Sequence, residues 1–86
     1  MKLKDLGLEE EILEIFEEVE RRILEAEKLD DLQQQVNIVF SVGRYMGDER
    51  EKLYENHSKK FIDEQFAKGG EYIVSYLMPR MEKKKH

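Results

Sequence analysis

The sequence predicts an all-helical fold, a small bundle of three longer helices and one short C-terminal helix. Three observations predict it. Apolar residues recur every three or four positions through the first third of the chain, glycine and aspartate stand where helices stop and restart, and a single proline closes the last apolar run. Eighty-six residues make one core rather than two, because a chain this short buries only about 60 to 65% of its extended surface. We therefore expect a single helical domain over 1–86, with 79–86 as a frayed basic tail.

From Leu8 to Leu29 the residues Leu8, Ile12, Ile15, Phe16, Val19, Ile23 and Ala26 form one apolar stripe, with glutamate filling the gaps. The stripe would next demand apolar residues at 30 and 33, where Asp30 and Gln33 stand. A new stripe begins at Leu29, Leu32, Val36 and Val39, and Asp30 with Gln33, or Asp31 with Gln34, fits a capping box. A break between two helices is expected there. The second segment, 31–46, places Val36, Ile38, Phe40 and Val42 in strand-like alternation, but Val39, Tyr45 and Met46 are apolar too, which suits a helix buried on most sides. Gly47, Asp48 and Glu51 read as a glycine stop, an N-cap and its capping-box partner for a third helix over 49–67. Gly69-Gly70 then reads as its end. Tyr72 to Met78 is apolar almost all round and is closed by Pro79, which removes a backbone donor and crowds the preceding turn. The alternative fold is α+β, with strands at 36–42 and 72–78. It would need pairing between subunits, since two strands alone are marginal.

The chain is 40% hydrophobic and 41% charged, with a net charge of -5, so it has material for a core and charge to solvate the outside. Residues 1–43 carry five basic and twelve acidic side chains, and residues 44–86 carry ten and eight. A net-acidic domain without a basic stripe lacks the phosphate-neutralising charge on which nucleic-acid affinity rests, so direct binding to DNA or RNA is not expected. The Lys83, Lys84, Lys85 cluster reads as a solvated end. With no cysteine there is no disulfide framework and no thiolate metal site. No apolar run is long enough for a signal peptide or a membrane span, and we expect a cytoplasmic protein that does not enter membranes.

Nine glutamates, Glu9, Glu10, Glu11, Glu14, Glu17, Glu18, Glu20, Glu25 and Glu27, lie on the first helix. Their plain reading is a solvated face, with first-turn carboxylates at the positive end of the helix dipole. The sharper reading is a negative surface that attracts a basic partner, for which Glu14, Glu17 and Glu18 are the candidates. Tyr72, Tyr76 and Met78 are the apolar candidates for an interface, since the second and fourth segments are apolar on more faces than a small bundle covers and tyrosine is enriched at binding hot spots. His57 lies between Leu53 and Phe61 on an apolar stripe, and neither histidine follows a glutamate by three positions as a di-iron bundle requires. No glycine-rich phosphate loop is present, and no cofactor is implied. The reading is a non-enzymatic protein-binding regulator or adaptor, with self-association expected.

Glu10-Glu11-x-x-Glu14, followed by Glu27-x-x-Asp30, resembles the paired acidic motifs of the all-helical MazG-like nucleotide pyrophosphohydrolases. The resemblance covers about a quarter of the chain. It would imply that Glu10, Glu11, Glu14, Glu27 and Asp30 hold magnesium against a nucleotide's phosphates, chemistry that suits carboxylate ligands and a hard cation. The second motif departs from the family pattern, because Glu27 and Asp30 fall at a helix end rather than within a second helix.

Overall fold

Each of the three α-helices begins on a side-chain oxygen that accepts an otherwise unpaired backbone N–H. The computed structural model describes residues 2–79. After a 3-10 turn at Leu3–Leu6, stopped by Gly7 in the left-handed region at φ 72°, α1 runs over Glu10–Glu27 with the Glu9 carboxylate accepting from the Glu11 N–H. Asp31 caps α2, Leu32–Leu53, by accepting from the Gln33 N–H at 2.9 Å, and Ser58 caps α3, Lys59–Tyr72, by accepting from the Phe61 N–H at 3.1 Å. Beyond Tyr72 the helix widens into a π-turn, Ile73–Leu77, in which the Met78 N–H donates to the Ile73 carbonyl five residues back. Pro79 accounts for the widening. It has no N–H, and its ring would strike the carbonyl four residues earlier in a regular helix.

α1 is the hub. Its stripe of Ile12, Ile15, Phe16, Val19, Ile23 and Ala26 is buried, and Phe16, Ile12 and Val19 are inaccessible to solvent. α2 returns antiparallel along it, with the Gln35 side chain donating to the Ala26 and Leu29 carbonyls and the Arg22 guanidinium 4.5 Å over the Tyr45 ring. α3 runs parallel to α1 on another side. The Glu9 N–H donates to Gln65 Oε1 at 2.8 Å, the Phe16 and Phe66 rings meet edge to face at 5.2 Å, and the Tyr72 hydroxyl donates to Glu20 at 2.6 Å. α2 and α3 meet chiefly beside their own connecting turn, through Tyr54 with Asp63 and Arg50 over Phe66. The bundle is consequently open and thin, 42 × 25 × 16 Å. Its radius of gyration, 13.5 Å, exceeds the value of about 12 Å usual for a domain of this length.

The all-helical expectation holds, and no strand occurs among the described residues, so 36–42 and 72–78 are helical. Two boundaries differ from the sequence reading. α2 passes through Gly47 and Asp48 and ends at Leu53, because Leu53 is buried and Arg50 and Lys52 face the negative end of the dipole there. Asp48 is an interior helix residue, and the cap of the third helix is Ser58. Gly69 and Gly70 do not stop α3 either. Gly69 is there for space: a Cβ on it would overlap the Phe16 ring. The basic tail expected at 79–86 lies, apart from Pro79, outside the described residues.

Two pairs of substitutions check this account by chemical denaturation. Gly69→Ala should lose about 1–3 kcal/mol by forcing Phe16 off its seat, whereas Gly70→Ala, which meets nothing within 4 Å, should gain up to about 1 kcal/mol. Ser58→Ala should lose about 0.5–2 kcal/mol. Asp48→Ala should cost nothing, since alanine is the better interior helix former.

Candidate interaction surface

α2 carries two apolar faces and the fold uses one. Ile38, Val42, Tyr45, Met46 and Leu53 point to the core. At 3.6 residues per turn, Leu32, Val36, Val39, Phe40, Gly43 and Gly47 share an arc of about 100°, roughly a third of a turn away. That second face is open to solvent: Phe40 is 71% exposed and Leu32 62%, with Val36 and Val39 partly covered. Leu32, Val36, Val39 and Phe40 thus leave their apolar side chains in water on one side of the helix. Residues 32–43 hold no charged side chain at all, in a chain that is 41% charged. Gln33 and Asn37 line its edge, the Gln33 amide donating to Asn37 Oδ1 at 3.1 Å.

The two glycines of this face have no use inside the monomer. Each costs an interior helix about 1 kcal/mol relative to alanine, and a Cβ on either would meet nothing within 4 Å. The twelve-residue uncharged run was the signal in the sequence that could have found this face. The sequence reading gave this segment surplus apolar surface but took its apolar interface residues from the fourth segment.

The residues singled out from the sequence are dispersed. Tyr72 is buried and belongs to the core, its hydroxyl on Glu20 and its ring 5.4 Å from that of Tyr76. Tyr76 and Met78 are exposed, as is Val74, but Tyr76 stands on the opposite side of the helix from the other two, two residues away from each. Glu14 and Glu17 stand in solvent. Glu18 does not act as a free negative charge: it accepts from Arg21 at 2.7 Å and from Arg22 at 2.6 Å, and those bonds hold its carboxyl down to about 2 from the ordinary 4.5. Since Arg22 also stacks on Tyr45, Glu18 orients a link between α1 and α2.

The paired acidic motifs do not converge. Glu10, Glu11 and Glu14 occupy the start of α1 while Glu27 is its last residue, so Glu14 and Glu27 stand about 20 Å apart along one axis. Asp30 lies in the loop beyond. A single ion cannot touch both motifs. Glu11 instead faces His57 from the α2–α3 turn, Nε2 to Oε2 3.7 Å, with Glu9 alongside so that one ligand atom from each lies within 4.8 Å of the others. Glu9 already serves as the cap of α1, and the trio sits at the surface. Sequence spacing could not reveal it, because the turn at 54–57 returns His57 to the start of α1.

Compared with protein-family models, curated proteins and solved structures, the chain has no significant match. Among the described residues no helix is long and apolar enough to cross a membrane.

The Glu18 pair makes a pH prediction. A carboxyl depressed in the folded state contributes stability that is fully present above its ordinary pKa and is lost as pH falls through the folded one. Thermal melts should therefore show a loss between pH 4.5 and about 2, smaller in Glu18→Gln and smaller in high salt, since the pair is exposed and screened.

Proposed function

We propose that this protein is a non-enzymatic protein-binding regulator or adaptor that docks through the outer face of α2. The uncovered stripe of Leu32, Val36, Val39 and Phe40 carries the reading, because a chain otherwise rich in charge leaves this one helix half uncharged and apolar. Phe40 is the anchor. A large, 71% exposed aromatic ring on an apolar face is the side-chain type on which binding energy concentrates. The glutamates of α1 surround the molecule with negative charge and favour encounters with partners that are neutral or basic around the contact.

The test is Phe40→Glu. With no partner bound, the variant should keep the wild-type circular dichroism, since Phe40 is 71% exposed in the monomer, and it should lose at least tenfold in affinity for whatever protein binds the wild type. Photo-crosslinking from Val39 in the native cell identifies that protein. Binding that survives Phe40→Glu unchanged would overturn the reading.

A further inference from the structure

Beyond the turn that joins them α2 and α3 separate, and a groove of about 510 Å³ lies between the two helices. Sites for small molecules typically measure roughly 300–1,000 Å³. One wall is Met46, Arg50 and Tyr54, which follow one another by a turn and so stand on one side of α2. The other is Lys59, Asp63, Phe66 and Ala67, which share a side of α3 in the same way. At the end nearest the turn the Tyr54 hydroxyl donates to Asp63 across the groove, so the carboxylate of the lining already has a partner.

Two cations remain. Among the described residues neither Arg50 nor Lys59 has a carboxylate within ion-pair reach: Arg50 stands 5.9 Å over the Phe66 ring, and the adjacent Glu49 is paired with Lys52. Arg50 and Lys59 against Asp63 leave the groove positive in a chain whose net charge is -5. Charge therefore favours an anion there. The guanidinium offers a planar fork that binds a carboxylate through two parallel hydrogen bonds, and the lysine adds a further donor. Beside them Met46, Phe66 and Ala67 present apolar side chains, which suit an apolar body attached to the acid group. An extended peptide is a poor occupant. Both walls are helices whose backbone groups are bonded within the helix, so there is no free edge to hold a main chain. The groove also spans only the residues from Met46 to Tyr54, about 12 Å of helix axis.

We propose that the groove between α2 and α3 binds a small amphipathic carboxylic acid, its carboxylate on Arg50 and Lys59 and its apolar body against Met46, Phe66 and Ala67. The site lies along the same side of α2 as the docking stripe but nearer the C-terminal end, and it does not rest on that reading. A bound acid bridges α2 to α3 where the fold leaves them apart.

The experiment is a titration of the purified full chain, followed by amide chemical shifts, with 4-phenylbutyrate as the probe and its uncharged amide as the control. The acid should give saturable shifts centred on residues 46–54 and 59–67, and the amide should bind about fivefold more weakly or less. Arg50→Gln and Lys59→Gln should each weaken the acid by about fivefold or more, whereas Arg44→Gln, which removes the same charge from an exposed position outside the groove, should leave it within about twofold. Circular dichroism of each variant shows whether the helices are intact. No saturable shift at about 10 mM acid, shifts centred elsewhere, an amide that binds as well as the acid, or folded Arg50→Gln and Lys59→Gln variants that bind as the wild type does would each overturn the proposal.

Discussion

The seat of the Phe16 ring on Gly69 sets the spacing of α1 and α3, and the remaining contacts between these helices follow from it. With no side chain at 69 the two axes approach closely enough for Phe66 to reach the edge of Phe16, for Gln65 to hold the backbone ahead of α1, and for Tyr72 to extend to Glu20. These contacts lie in order along both helices, so one close approach fixes register as well as distance. α2 is attached differently. It depends on the apolar stripe of α1 and on Arg22, which pairs with Glu18 while stacking on Tyr45. One helix thus carries both neighbours, and the bundle stays open where a third mutual contact would have closed it.

What could be read in the sequence follows from which signals have one meaning. The 3.6-residue stripe from Ile12 to Ala26 has no competing interpretation, and α1 and the break after it lie where periodicity puts them. Glycine has several. Gly47 and Gly69-Gly70 read as stops because glycine enters the left-handed conformation cheaply, yet among the described residues only Gly7 does so. Gly69 is required by its neighbour, a reason that depends on a residue 53 positions away. The cap of α3 is Ser58, which the sequence reading passed over for the Gly47-Asp48 pair.

The exposed apolar face was half legible. Surplus apolar character in the second and fourth segments is a property of the sequence, and both segments do leave large apolar side chains in water. Which ones remain uncovered depends on how each helix is rotated about its axis. Tyr72 looked like a surface residue because its polar end needs a partner, and Glu20 supplies one in the interior. Phe40, read as part of a helix buried on most sides, is the most exposed of the large apolar residues among those described. The acidic motifs failed on distance, since spacing along a helix is also separation along its axis.

The first ten residues of α2, from Leu32 to Ser41, include none that is buried. They are held by the Asp31 cap at one end, by Gln35 on the end of α1, by the half-buried Ile38 against the core, and by Val42 at the other end. A helical segment of that length is marginal in water unless something packs on it. Its opening free energy therefore belongs to the low end of the scale for this molecule, well below that of α1. Amide hydrogens here would exchange at a rate governed by whatever covers the stripe, which makes occupancy of the face measurable from the backbone itself and couples the act of association to the completion of a helix.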